Sequence, residues 1–194
     1  MTPAIAKIVW AVVVVLWYAI RHPFERRAKK APVARSKRDV REKILLGISL
    51  TGLGVLPSLY VGTGFPRFAD YSFRPGLAWF GVIVALASLV MFRLTHKALG
   101  RNWSVSLDVR ERHTLVTDGV YRLVRHPMYT AFWLWALAQA LLLPNWIAGP
   151  AGLVGFGTLF FFRVGREERM MLDAFGDQYR AYMARSARVV PWIY

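Results

Sequence analysis

The sequence predicts an all-α integral membrane protein of five transmembrane helices, the last two a helical hairpin, under a cytosolic cap. Three observations carry this reading. Of the 194 residues, 56% are hydrophobic, more apolar surface than one core of this size hides. Five apolar stretches approach the length of a bilayer span. The basic residues gather on one side of the alternation those stretches impose.

A span needs about 20 mostly apolar residues, because ~30 Å of hydrocarbon is crossed at ~1.5 Å per residue. Residues 3–20 carry one charge, Lys7, near their start; residues 45–62 and 77–92 carry none. The first stretch has its basic residues after the apolar run, not before it, so it is expected to be a retained span and not a cleaved leader. Residues 129–143 and 147–162 are separated only by Pro144, Asn145 and Trp146, which predicts a tight hairpin turning at the far membrane face.

Alternating connections place residues 21–43, 93–128 and the tail from Arg163 on one side. That side holds every Lys and Arg except Lys7, Arg67 and Arg74, and every acidic residue except Asp70. By the positive-inside rule it is cytosolic, with the N-terminus outside and the C-terminus inside, in a plasma membrane. The net charge of +15 is therefore a topology and headgroup signal: membrane lipids are the expected partners, and nucleic acid is not. The run from Arg21 to Lys43, with Phe24 its single aromatic residue, has the character of a lipid-headgroup device and is assigned no chemistry. The chain reads as one membrane-embedded domain, 1–194, with three spans and the basic loop in 1–92. The 93–128 loop and a C-terminal helix form the cap over spans four and five.

There are no cysteines, which removes thiolate metal sites and a cysteine nucleophile. His22, His96, His113 and His126 lack metal-ligand spacing, so no metal is expected. The polar side nevertheless holds two unusual segments. Residues 113–129 read HTLVTDGVYRLVRHPMY, where Asp118-Gly119 marks a turn and Pro127 suits the first position of a helix, making His126 its N-cap. Such a start aims the N–H groups of Met128, Tyr129 and Thr130 at the cytosolic boundary, where they favour a carboxylate or phosphate. Arg125 and His126 alone would also serve as headgroup anchors.

The second segment follows the fifth span as Arg163, Arg166, Glu167 and Glu168. Continuing the helix sets Arg163 and Glu167 one turn apart, either as an i,i+4 ion pair or as a receptor for an amphiphilic anion leaving the bilayer. An amphipathic tail broken at Gly176 then closes over this region.

At these residues the sequence resembles the isoprenylcysteine carboxyl methyltransferase family. The resemblance rests on HTLVTDGVYRLVRHPMY, on RVGREE from Arg163 to Glu168, and on FGDQYRAYMARSARVVPWI after it, about half the chain from Leu99 onward. It implies that 93–194 is a catalytic region binding S-adenosylmethionine in a cytosolic pocket and releasing S-adenosylhomocysteine. Cofactor contacts would fall on His113, Thr114, Leu115, Val116, Tyr121, His126, Pro127, Met128, Tyr129 and Glu167. Arg163 would hold the substrate carboxylate and be the catalytic residue. The acceptor would be a lipophilic substrate, such as a prenylated cysteine, entering from the bilayer. Compared with eukaryotic members the chain lacks additional N-terminal spans, which suggests a compact prokaryotic homologue whose acceptor is a prenylated carboxylate or another lipophilic carboxylate or thiol.

Three other functions share parts of this pattern. A phospholipid N-methyltransferase would need a base and have less use for Arg163. An NADPH-dependent sterol-type reductase would call on Arg122, Arg125 and Arg166 for the nucleotide phosphate. A non-enzymatic scaffold binding anionic lipid would depend on Arg21 to Lys43 alone.

Overall fold

A computed structural model describes residues 1–29, 40–100 and 115–192. His113 and Thr114 lie outside the described residues, as does most of the basic run. Seven α-helices are described: α1 (Pro3–Lys29), α2 (Val40–Leu50), α3 (Leu56–Thr63), α4 (Pro75–Leu99), α5 (Pro127–Leu142), α6 (Ala151–Phe175) and α7 (Asp177–Arg185). No β-strand forms among the described residues; two isolated bridges join loops.

Among the described residues, three segments are long and apolar enough to cross a membrane: Pro3–Arg26, Val40–Thr63 and Pro75–Leu99. Their apolar side chains largely face outward; Ile8, Val15, Leu50, Ile83 and Val90 are exposed, as lipid-facing residues are. Of the two later helices, α5 ends one residue before the expected span end at 143, and α6 begins four residues after the expected 147. The 16 residues of α5 rise only ~24 Å, less than the hydrocarbon thickness. The chain between α5 and α6 is eight residues, not three, because Gly149 and Pro150 delay the helix to Ala151. Asn145 organises that turn. Its Oδ1 accepts from the N–H groups of Ile147 and Ala148, and its Nδ2 donates to Pro66 O at 2.7 Å and Asp70 Oδ1 at 2.8 Å. The loop expected from residue 93 begins later, since α4 continues to Leu99 and stops at Gly100, whose φ is +48°.

The second span is interrupted by a π-helical turn over Thr51–Val55. Pro57 has no N–H to give the carbonyl one turn back and its ring crowds that turn. The Leu56 N–H donates instead to Thr51 O, which releases the Gly52 carbonyl. Gln139 of α5, fully buried, takes it up at 3.1 Å and also donates to Ala148 O at 2.8 Å. A side-chain amide between helices thus satisfies a backbone group that lipid would leave bare.

The same turn brings α2 and α6 backbone to backbone. A Cβ on Gly155 would lie 2.8 Å from Ile48 O and 3.1 Å from the Gly52 Cα; one on Gly52 would run into the Ala151 carbonyl. This close approach sets the register of two antiparallel helices. Gly155→Ala is therefore expected to destabilise the protein by ~1–3 kcal/mol through overpacking. Gly47→Ala, where a Cβ meets nothing within 4 Å, is expected to be neutral or slightly stabilising. Thermal unfolding in detergent checks the pair, and equal effects at the two positions would refute the close-packing account.

Candidate active site

The site forms where the start of α5 meets the second half of α6. The sequence dictates the first of these: Pro127 has no N–H to lose at the helix start, and His126 is the N-cap residue. Its imidazole makes no capping bond. The Thr130 N–H donates to His126 O at 3.1 Å, so at this helix start Met128 and Tyr129 keep free N–H groups, two and not the three expected.

Two carboxylates of α6 face this helix start in different ways. The Tyr129 hydroxyl donates to Glu167 Oε2 at 2.5 Å, and His126 Nδ1 lies 3.8 Å from Glu167 Oε1. The Glu167 side chain remains 27% exposed and can take a further donor. Glu168, one residue on and about 100° around the helix, is buried. It accepts from Arg125 Nε at 2.7 Å, from Arg188 Nε at 3.1 Å and Nη2 at 2.7 Å, and lies 3.3 Å from His126 Nε2. Burial alone would raise the Glu168 carboxyl, but the hydrogen bonds from His126, Arg188 and Arg125 outweigh it and hold the group far below the usual carboxylate range. Glu168 is thus a filled structural hub. Glu167 is the carboxylate with capacity left.

The hub also ties down the tail. Arg125 Nη1 donates to Ser186 O at 2.5 Å, while the backbone N–H groups of Arg125 and His126 donate to Ala187 O and Arg188 O. Thr130 Oγ1 donates to Val189 O at 2.7 Å. Residues 123–126 are therefore paired with 186–189. Gly176, at φ +51°, turns the chain from α6 into α7, and α7 lays Tyr179 and Tyr182 against Tyr121, with Leu115 and Val116 packed alongside. The Tyr182 hydroxyl donates to Tyr121 O at 2.6 Å. Burial, and secondly the Glu167 charge, pushes the Tyr121 phenol up; burial pushes Tyr182 up to about 12, so both stay protonated donors.

Arg163 lies five residues, about a turn and a half, before Glu168 on α6. It does not pair with Glu167. Its Nη2 is 3.6 Å from Glu42 Oε1 on α2, because the Gly52–Gly155 register brings the start of α2 beside it. Arg163 Nε and Glu42 Oε1 are both buried without a hydrogen bond. The walls are aromatic: Phe160 packs edge-on to Tyr129 at 5.5 Å, and His126 stacks on Tyr129 at 5.4 Å.

Of the residues singled out in the sequence, His126, Pro127, Met128, Tyr129 and Glu167 converge directly, with Arg163 adjacent. Leu115, Val116 and Tyr121 stand behind them against α7. His126 is nearly buried between two carboxylates and a ring, so it positions Tyr129 and Glu168. Glu42 and Arg188 were not singled out, and Glu168 was named beside Glu167 without a role of its own. Glu168 was signalled by the doubled glutamate, whereas Glu42 was hidden in a run read as basic.

The family model for the isoprenylcysteine carboxyl methyltransferase family matches residues 79–173. Protein-S-isoprenylcysteine O-methyltransferase B of Arabidopsis thaliana is 32% identical over 133 residues, covering 64% of this chain and 68% of the relative. The protein-S-isoprenylcysteine O-methyltransferase of Dictyostelium discoideum is 28% identical over 136 residues, 67% of this chain and 54% of that protein. Among solved structures, the eukaryotic intramembrane Ras methyltransferase (isoprenylcysteine carboxyl methyltransferase) superposes with a TM-score of 0.65 at 22% identity, over 100% of this chain and 69% of that one. The likeness in structure establishes a shared fold.

Proposed function

The chain belongs to the isoprenylcysteine carboxyl methyltransferase family, is a membrane methyltransferase for isoprenylcysteine carboxylates, and from that premise we propose how its residues divide the work. S-adenosylmethionine, when bound, supplies a sulfonium-activated methyl group that leaves its electron pair on sulfur and takes one from the acceptor oxygen. The acceptor carboxylate, with an ordinary pKa near roughly 4, is already ionised, and no proton moves. The chain needs no general base; it must bind, orient and exclude water.

The donor set fits such a cofactor. The free N–H groups of Met128 and Tyr129 at a helix start suit the carboxylate of its methionine part, and the partly exposed Glu167 suits its ammonium or ribose hydroxyls. His113, Thr114, Leu115, Val116 and Tyr121 would flank the rest, with His126 and Pro127 shaping the helix start. Arg163, with an unsatisfied buried Nε at the apolar edge, holds the acceptor carboxylate. The observation that carries this reading is the juxtaposition of an available acceptor, two free N–H donors and a buried guanidinium within two helical turns.

We place α5 and the first half of α6 as the short fourth and fifth spans, with residues 115–126 and α7 capping the site on the cytosolic side. The prenyl chain of the acceptor then reaches the site from the bilayer.

Calorimetric titration of the detergent-purified protein with S-adenosylhomocysteine tests the cofactor assignment. Glu167→Ala is expected to weaken binding by roughly tenfold to a hundredfold, the range for a lost hydrogen bond to a charged group. Absence of binding to the unaltered protein would overturn the cofactor site, and an unchanged affinity in the variant would remove Glu167 from it.

A further inference from the structure

Among the described residues, the protein builds two buried arginine–glutamate sites and closes the geometry of one. Around Glu168, arginine nitrogens close to 2.7 Å, as charge-assisted hydrogen bonds do. Between α2 and α6, Glu42 and Arg163 stop at 3.6 Å, with side chains 8% and 13% exposed, and a polar atom of each lacks a partner. A buried pair held only for stability should close its geometry, because an open one leaves desolvation uncompensated. The gap is not a matter of loose packing, since the Gly52–Gly155 contact fixes the two helices and Arg41, next to Glu42, places its guanidinium over Phe162, next to Arg163.

The pair also borders the methyl-transfer site, because Arg163 precedes Glu167 by one turn of α6 and Glu167 accepts from the Tyr129 hydroxyl. Glu42 therefore presents a carboxylate to the guanidinium assigned to the acceptor carboxylate. It contributes this from the N-terminal half, which the site residues read from the sequence do not include.

We propose that Glu42 is a positioning and specificity residue for the transfer: an internal carboxylate that shares Arg163 with the acceptor carboxylate. The proposal rests on Arg163 holding that acceptor. In the free protein Glu42 compensates the buried cation. When the acceptor arrives, Arg163 still has Nε and its other amino group to offer, and the two carboxylates divide one positive charge. A shared arginine orients the acceptor oxygen while withdrawing less of its charge, so the oxygen stays nucleophilic. Without Glu42 the acceptor would be held more tightly and react more slowly.

The test measures methyl transfer to an N-acetylated S-prenyl cysteine, with its carboxamide as competitor, and S-adenosylhomocysteine affinity as the check on folding. Glu42→Gln is expected to lower KM for the acid by roughly tenfold and kcat by a similar factor, the effect of removing one like charge at close range. Carboxamide inhibition and S-adenosylhomocysteine affinity are expected to stay unchanged. Glu42→Ala is expected to behave alike, which keeps the question answerable if the glutamine variant folds poorly. An unchanged or raised KM for the acid in the folded variants overturns the role of Glu42. Arg163→Gln separates this from the underlying assignment: it is expected to abolish the preference for acid over carboxamide, and a preserved preference would overturn Arg163 as the acceptor's partner.

Discussion

Glu168→Gln is expected to lower the stability of the folded protein by ~3–5 kcal/mol at neutral pH, the cost of removing one member of a buried ion cluster while its partners remain. Arg125 and Arg188 would then share a neutral amide in a space where Glu168 is 5% exposed. For a chain of this size the loss corresponds to a drop in Tm on the order of 10 °C. The same change should loosen the pairing of 123–126 with 186–189, so S-adenosylhomocysteine affinity should fall together with Tm. Glu167→Ala should lower affinity with Tm nearly unchanged. The dependence on pH has a definite sign. The folded carboxyl titrates far below its unfolded counterpart, so its contribution is complete above the ordinary carboxylate range, near pH ~5, and is lost as pH falls toward the lowered folded value. Tm of the unaltered protein should therefore fall below about pH 5, whereas the part of that fall owed to Glu168 should be missing in Glu168→Gln. Parallel Tm profiles of the two proteins from neutral pH into acid would refute the hub.

Local pattern carried the sequence reading a long way in the elements that lipid and helix chemistry specify. Three spans, the helix start at Pro127 and the break at Gly176 stand where apolar runs, proline and glycine put them. The convergence of His126, Tyr129 and Glu167 follows from the resemblance together with that helix start. What escaped was tertiary in origin. The shared face of Arg163 and Glu167 suggested a mutual pair, yet each was claimed by another helix: Arg163 by Glu42, 121 positions away, and Glu167 by Tyr129. Glu42 was invisible because a charge run has no periodicity to distinguish one acid among many bases. The length of the turn after α5 was misjudged for a related reason. Leu143 is apolar and fully buried, but the Asn145 turn beside it ends the helix through hydrogen bonds to residues 66 and 70 that no local window contains.

Arg163→Ala is expected to reduce transfer to a prenylated cysteine by about 10²–10³ in kcat/KM, the scale for removing one preorganised charge-stabilising donor from a dry site. S-adenosylhomocysteine affinity should stay within about twofold, because the groups assigned to that ligand lie in residues 113–121, at the start of α5 and at Glu167, and do not include Arg163. The division of labour follows from the contacts: Tyr129, not Arg163, hydrogen-bonds Glu167, and Arg163 faces Glu42 across to α2. Arg163→Lys should recover little, since an ammonium is a point charge and cannot present two parallel donors to one carboxylate while a second is nearby. Truncation also leaves Glu42 buried beside an empty space, so some stability is expected to be lost, and Glu42→Ala in the same chain should restore Tm without restoring transfer. That pattern separates a positioned cation from a merely structural one. If the double variant regained activity along with Tm, Arg163 would be holding the fold and not the acceptor; if Arg163→Ala lost cofactor affinity as fully as Glu167→Ala, the two halves of the site would not be separable.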